Sequence, residues 1–225
     1  MLRSVRAVVF DFDGLILDTE APFFTAWAEA WAEHGHELDP AEWARCIGTH
    51  GVYDPYVALA ERTGPAAGLP TAEELESRCD ARAAELILAE AVLPGVVDWL
   101  TAAPELGLAV GIASSAPPHW VEGHLDRLGL RHHFLVVSTR DGVLPAKPAP
   151  DLYLASCAGL GVDPAEAVAV EDSPNGIAAA KAAGLFCVAV PNAMTRPLDL
   201  SQADLVVDSL ADLPLPELMS LRAPG

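Results

Sequence analysis

The chain has 225 residues, 52% of them hydrophobic, which suffices for one large domain or for a core with a smaller insert. Its formal net charge of −19 should repel nucleic acid and anionic membranes, because binding to either depends on neutralising phosphate groups. Four widely spaced cysteines favour reduced thiols in a cytoplasm, and no apolar stretch is long enough for a membrane span or a signal peptide. We therefore expect a cytoplasmic protein with a small-molecule partner, and an anionic substrate would need a metal ion or a local cation.

The first predicted element is a buried parallel strand over Arg6 to Phe10, and two carboxylates follow it directly. Asp11 and Asp13 are two residues apart, so in an extended chain they lie on the same face. Like charges at this separation repel each other, and the cost grows as water is excluded. The pair therefore indicates that a positive group belongs at this end of the strand.

A long stretch without strand-like runs follows, from about residue 20 to residue 90. Three aromatic residues fall on one helical face near its start, and Thr71 and Glu74 form a capping box that opens a helix running to about Glu90. Shorter helices are indicated near residues 40 and 56. We interpret this stretch as an all-helical insert with a return hinge at Leu93-Pro94-Gly95. The predicted domains are an α/β core over 1–18 and 92–225 and a helical cap over 19–91.

The remaining chain alternates strand-like and helix-like patterns, which is typical of a doubly wound parallel sheet. Helices are predicted to begin near residues 119, 152 and 177, and two of them close at glycines. This pattern predicts an α/β, Rossmann-like fold. The further strands are expected at Leu108 to Ala113, Leu135 to Val137, Ala167 to Val170, Leu185 to Val190 and Asp204 to Val207.

Polar side chains follow three of these strands at the point where each strand ends. Asp11 and Asp13 follow the first, Ser114 and Ser115 follow the second, and Glu171-Asp172 follows the run "AVAV". Because the carboxyl ends of parallel strands meet at one edge of the sheet, we expect these groups to lie together. Four carboxylates in one place need a divalent cation, and hard oxygen ligands suit Mg²⁺.

Lys147, in "AKPAPD", is a further candidate for this site. The chain contains two lysines against eleven arginines, so a lysine here indicates a role for a compact ammonium group that a guanidinium does not fill. The other lysine, Lys181, lies in a helical pattern and is expected to be solvated.

The segments "DFDGLILDTE", "IASS", "AKPAPD" and "VEDSPNGIAAAKAAG" closely resemble the four motifs of the haloacid dehalogenase-like hydrolases. The subgroup it resembles contains β-phosphoglucomutase, phosphoglycolate phosphatase and the sugar-phosphate phosphatases. The resemblance implies that Asp11 is the nucleophile, that Asp13 is the general acid and base, and that a mobile helical cap covers the site. It also implies that Ser114 and Lys147 hold the phosphoryl oxygens, with Ser115 beside them. The implied Mg²⁺ ligands are Asp11, the backbone carbonyl of Asp13, Asp172, and Glu171 directly or through water.

The two aspartates divide the work, because a nucleophile must be ionised and an acid must carry a proton. In the dehalogenases of this superfamily the second aspartate is absent, so Asp13 favours phosphate ester chemistry over carbon–halogen cleavage. We expect a Mg²⁺-dependent phosphatase that acts on a small phosphorylated metabolite. Two alternatives remain open: a phosphosugar mutase, and a phospho-accepting signalling module, which the long insert after the first strand fits poorly.

The insert offers one way to separate a phosphatase from a mutase. A mutase binds a sugar bisphosphate and needs a second cationic site, which the resemblance places shortly after the glycine of the cap. No arginine or lysine occurs there, from Cys46 to Glu61. Arg45, Arg78 or Arg82 could substitute from other helices, so the sequence favours hydrolysis and leaves oligomeric state and substrate undetermined.

Overall fold

The computed structural model describes residues 5–44, 53–64, 68–141 and 145–222. They build a six-stranded sheet in which every neighbouring pair of strands is parallel. The spatial order is β3-β2-β1-β4-β5-β6, so the chain reverses direction across the sheet after β3 and returns beside β1. This arrangement confirms the predicted doubly wound α/β fold. The strands are β1 Ala7–Phe10, β2 Ala109–Ser114, β3 Val136–Thr139, β4 Ala167–Glu171, β5 Phe186–Ala189 and β6 Leu205–Val206.

Nine α-helices lie in the described residues, and two of them were not predicted from the sequence. The helix directly after Gly95 buries Val96, Trp99, Leu100 and Ala103, which follow the helical i, i+3, i+4, i+7 spacing. Its N-cap is Gly95 itself, at φ +83°, so the glycine assigned to the hinge also starts a helix. The helices are α1 Glu20–Glu33, α2 Pro40–Trp43, α3 Pro55–Thr63, α4 Ala72–Ala89, α5 Val96–Glu105, α6 Pro118–Arg127, α7 Asp151–Leu160, α8 Pro174–Ala183 and α9 Leu215–Arg222.

The two faces of the sheet carry side chains of different size. On β1, Val8 and Phe10 pack into the hydrophobic cluster that includes α5, α6 and α9, whereas Ala7 and Val9 pack into the cluster that includes α7 and α8. Small residues on the second face allow close approach of a helix: a Cβ atom on Gly111 of β2 would lie 2.6 Å from an oxygen on α7. Both faces are therefore buried, as expected for a parallel sheet with helices on each side.

Among its described residues, the segment from residue 20 to residue 89 contains helices with connecting turns and loops, and no strand. Helices α1 and α4 pack against each other through buried Ala26, Ala30, Cys79 and Ala83. The predicted capping box at the start of α4 is present, since Glu74 N donates to the Thr71 hydroxyl and Thr71 N donates to Glu74. No described helix meets the length and apolarity needed to cross a bilayer.

The two chain segments that join these helices to the sheet run side by side. Leu17 and Val92 form an antiparallel bridge, and Leu93 N donates to Ile16 O at 3.0 Å. A third connection comes from Arg127 on α6, whose guanidinium donates to the backbone carbonyls of Ile87, Leu88 and Glu90 at the end of α4. Entry and exit of the helical segment therefore lie side by side next to the carboxyl edge of the sheet.

Candidate active site

The seven side chains predicted to form a site all lie at the carboxyl edge of the sheet. Strand β1 leads into Asp11 and Asp13, β2 ends at Ser114, and β4 ends at Glu171. Parallel strands in register deliver these positions to one edge, which is where open α/β sheets bind their ligands. The roles that the family resemblance implies for the individual residues stay predictions.

Lys147 joins the ends of β1 and β4. Its Nζ atom donates to Asp11 Oδ1 at 2.5 Å and to Glu171 Oε1 at 2.6 Å. The lysine side chain is 7% exposed and that of Glu171 is 0% exposed, so both ion pairs are shielded from water. Burial lowers the pKa of Lys147, but Asp11 and Glu171 raise it by more, so its ammonium stays charged.

The carboxylate of Glu171 is occupied on both oxygens by protein donors. Besides Lys147, the buried hydroxyl of Tyr153 on α7 donates to Oε1 at 2.6 Å, and the Asp172 backbone N–H donates to Oε2 at 3.2 Å. The Lys147 ammonium also lies 5.0 Å from the centre of the Tyr153 ring. Helix α8 comes so close that a Cβ on Gly176 would overlap this carboxylate, which explains the glycine in "SPNG". Sequence analysis missed Tyr153, since nothing in its local pattern distinguishes it from a core residue.

Asp172 is oriented by a loop that follows β5. Asn192 Nδ2 donates to Asp172 Oδ2 at 2.8 Å and to Gly14 O at 3.3 Å. Gly14 has φ +75°, and a Cβ there would lie 2.4 Å from Asp172 Oδ2, so both its conformation and its surroundings require glycine. Sequence analysis did not single out Asn192. The strand-end rule would have found it, because it comes three residues after the end of β5.

The acidic side chains form a compact set of oxygen donors. Carboxylate oxygens of Asp11, Glu171 and Asp172 lie within 4.8 Å of one another. Burial raises the pKa of Asp11 to about 8 and that of Asp172 well above its usual range, and the neighbouring carboxylates add to both shifts. Three carboxylates against the one ammonium of Lys147 would leave two uncompensated negative charges in a buried place. The donor set therefore fits a divalent cation with oxygen ligands.

Asp13 stands apart from this set. Its Oδ1 accepts a 2.8 Å hydrogen bond from the indole Nε1 of Trp120 on α6, a residue that sequence analysis did not identify. Burial raises the pKa of Asp13, and hydrogen bonds from Trp120 and Thr19 act in the opposite direction. The two aspartates after β1 thus differ in their direct partners: Asp11 contacts the Lys147 ammonium, whereas the hydrogen bonds to Asp13 come from neutral donors and Lys147 acts on it only through its charge.

The two serines take part in the loop structure around the site. The buried Ser114 hydroxyl accepts from Ala116 N at 3.0 Å, and the Ser115 hydroxyl accepts from the backbone N–H of Lys147 at 3.1 Å. Ser115 therefore ties the end of β2 to the segment that carries Lys147. The predicted contacts of these serines with phosphoryl oxygens are not tested by this geometry.

Comparisons with known proteins agree with this arrangement. Residues 5–184 match the family of haloacid dehalogenase-like hydrolases. The chain is 42% identical over 215 residues to YhcW of Bacillus subtilis, covering 96% of both chains, and 34% identical over 221 residues to Hexitol phosphatase B of Escherichia coli, covering 96% and 98%. The crystal structure of CbbY from Rhodobacter sphaeroides in complex with phosphate superposes with a TM-score of 0.73 at 31% identity, covering 95% of this chain and 99% of that one. This chain belongs to the haloacid dehalogenase-like hydrolases.

Proposed function

We propose that the protein is a Mg²⁺-dependent phosphatase that removes phosphate from a small phosphorylated metabolite, such as a sugar phosphate, through an aspartyl-phosphate intermediate. The observation that carries the proposal is the pairing of buried Asp11 with Lys147 beside Asp172, while Asp13 lies on the same face in a different environment. Relatives that bear the name phosphatase, including one named for hexitol phosphates, support the same activity.

Asp11 is the nucleophile in this proposal. Contact with the Lys147 ammonium opposes the effect of burial and favours the ionised form of Asp11, and the same contact orients its carboxylate. One Asp11 oxygen attacks phosphorus and forms the aspartyl phosphate, while the bond from phosphorus to the substrate oxygen breaks. Water then attacks the same phosphorus, which releases inorganic phosphate and restores the carboxylate.

Asp13 carries the proton for both steps. It donates a proton to the departing substrate oxygen in the first step and accepts one from the attacking water in the second. Burial raises the pKa of Asp13, which favours a carboxyl group able to exist in both forms during a cycle. Because the Asp13 carboxyl is not among the clustered acidic oxygens, its proton transfer does not compete with cation binding.

The cation would be held by Asp11, Asp172 and the backbone carbonyl of Asp13. When bound, Mg²⁺ supplies positive charge to the phosphoryl oxygens and so allows a dianionic substrate to approach Asp11. Glu171 already accepts bonds on both oxygens, so we assign it the positioning of Lys147 and a contact with the cation through water. The phosphoryl oxygens would be bound by Ser114, Ser115 and Lys147.

The helical segment over 19–91 acts as the cap in this proposal, and residues 1–18 and 92–225 form the core. Its two connections lie beside each other at Leu17 and Val92, which is the arrangement needed for a hinge between two bodies. Cap closure over Asp11 would exclude water that competes with the substrate oxygen.

The cap favours a phosphatase over a mutase. Its described arginines are Arg62, Arg78 and Arg82, and each forms an ion pair with a glutamate: Arg62 with Glu42, Arg78 with Glu33 and Arg82 with Glu29. Arg78 and Arg82, the two described candidates for a second phosphate site, are thus engaged at the surface of the α1–α4 pair. Arg45, the third candidate, lies outside the described residues.

A phosphate-release screen tests the proposal. Purified protein with Mg²⁺ is incubated with sugar, polyol, nucleotide and glycolate phosphates, and Asp11→Asn serves as the control for contaminating phosphatases. We expect release from at least one monophosphate by the wild type and none by the variant.

A separate incubation with β-glucose 1-phosphate and catalytic glucose 1,6-bisphosphate should yield little glucose 6-phosphate; interconversion faster than phosphate release would establish a mutase instead. An aspartyl phosphate that persists without turnover would establish a signalling module.

A further inference from the structure

Helix α6 places Trp120 next to Asp13, which lies outside the cluster formed by Asp11, Glu171 and Asp172. Trp120 Nε1 donates to Asp13 Oδ1 at 2.8 Å across 107 positions of sequence. An indole N–H is a donor only, so Asp13 Oδ1 must act as the acceptor in this bond whether or not the carboxyl group is protonated. A carbonyl oxygen is a better acceptor than a hydroxyl oxygen, so this bond favours Oδ1 as the carbonyl oxygen and leaves Oδ2 as the oxygen for proton transfer.

The position of Trp120 is itself fixed by its neighbours. The ring of His124, one turn further along α6, meets the indole edge to face at 4.5 Å and stacks on Phe12 at 6.3 Å. Phe12, which lies between Asp11 and Asp13 in the sequence, is fully buried. Arg127, on the same face of α6, donates to His124 Nδ1 at 3.3 Å, which leaves the second imidazole nitrogen to carry the proton.

We propose that Trp120 is a positioning residue for proton transfer by Asp13, holding Oδ1 so that Oδ2 delivers and receives the proton. The proposal rests on the proposed function, because it presupposes that Asp13 acts as acid and base. The indole contributes a hydrogen-bond donor in addition to its packing area, and a phenylalanine at this position would keep a ring without the donor. Because the donor is already oriented, it holds the carboxyl group in one rotamer, and other rotamers do not have to be sampled before proton transfer.

The test uses the dependence of rate on the leaving group. A positioned acid matters more when the departing oxygen is a poor leaving group, so kcat/KM is measured for phenyl phosphate and for p-nitrophenyl phosphate with saturating Mg²⁺. For Trp120→Phe we expect about a tenfold loss with phenyl phosphate and about a twofold loss or less with p-nitrophenyl phosphate. Trp120→His places its Nε2 at the ring position of the indole Nε1 and should restore the wild-type ratio at about pH 8, where imidazole is neutral.

The matched control removes an indole N–H from another tryptophan, Trp99. Trp99 Nε1 donates to Leu213 O at 2.8 Å in the core, so Trp99→Phe deletes an equally short bond that involves no side chain of the site. We expect Trp99→Phe to lower the melting temperature and to leave the ratio of the two kcat/KM values unchanged. Circular dichroism checks each fold, and Trp120→Met is the second variant without a donor if Trp120→Phe does not fold.

Asp13→Asn separates failure of this inference from failure of the proposed function. If Asp13→Asn does not increase the preference for p-nitrophenyl phosphate, the acid role of Asp13 is wrong. If Asp13→Asn does increase it while Trp120→Phe keeps the wild-type ratio or reacts faster, Asp13 is the acid and Trp120 does not position it.

Discussion

The carboxyl edge of the sheet and the α1–α4 helical segment both contain ion pairs, but the two regions use them differently. At the sheet edge, Lys147 is 7% exposed and contacts two carboxylates, so negative charges outnumber the single positive charge. In the helical segment, Arg78 and Glu33 form a one-to-one pair with both side chains about half exposed, at 52% and 53%. Exposed pairs of this kind contribute little to stability, about 0–1 kcal/mol, whereas a buried pair strongly constrains its surroundings. The comparison teaches that uncompensated charge is buried at the sheet edge, whereas the charges of the described α1–α4 pair are balanced at the surface.

The largest expected effect comes from removing the nucleophile. Asp11→Asn should lower kcat for p-nitrophenyl phosphate by at least about a thousandfold, because an amide cannot form the aspartyl phosphate. The fold should persist, since the change also relieves repulsion among buried carboxylates, and circular dichroism measures this. The same isosteric change at exposed Asp98 on α5 is the control and should leave kcat unaltered. Activity above a tenth of wild type would exclude Asp11 as nucleophile.

Removal of the divalent cation should have the next largest effect. Treatment with EDTA should lower phosphate release by about a hundredfold or more, because the acidic cluster then repels a phosphate dianion. Added Mg²⁺ should restore the rate. Ca²⁺ should not, since it recruits more oxygens and would draw Asp11 into bidentate coordination. Full activity in chelator would contradict the interpretation of the acidic cluster as a cation site.

The two lysines of the chain allow a matched test of buried against exposed pairing. Lys147→Met leaves Asp11 and Glu171 without their shared ammonium and should lower the free energy of unfolding in EDTA by about 3 kcal/mol. Lys181→Met removes the partly exposed 2.6 Å pair with Asp204 and should cost about 1 kcal/mol or less. Urea titration measures both. Equal losses in the two variants would show that burial of Lys147 does not set its contribution.

The smallest expected effect concerns the arginines of the proposed cap. Arg78→Ala and Arg82→Ala should each change kcat/KM for monophosphates by less than about twofold, because both guanidinium groups pair with glutamates at the surface. Steady-state kinetics on the best substrate of the screen measures this. A rise in KM of tenfold or more would mean that these arginines turn toward the substrate on closure, and would reopen the mutase alternative.

The sequence alone was sufficient for the fold class and for where chemistry is concentrated. Continuous β-branched runs such as "AVVF", separated by capped helices, predict buried parallel strands, and all six predicted strands are present with ends shifted by one or two residues. Because parallel strands share a direction, the strand-end rule places Asp11, Ser114 and Glu171 at one edge without knowledge of the tertiary structure. The scarcity of lysine also pointed to Lys147 before its contacts were known.

Only the tertiary structure decided which groups surround each carboxylate. Trp120, Tyr153 and Asn192 reach the site from α6, α7 and the loop after β5, and their partners lie 107, 18 and 20 residues away in sequence. The two aromatic side chains are locally indistinguishable from core residues, because their role depends on where a helix packs, whereas Asn192 is marked in the sequence by its place just after a strand end. The pairing of the described cap arginines with glutamates is likewise a result of helix packing. Residue types and strand direction thus determined the location of the site, and long-range packing determined how each acid in it is held.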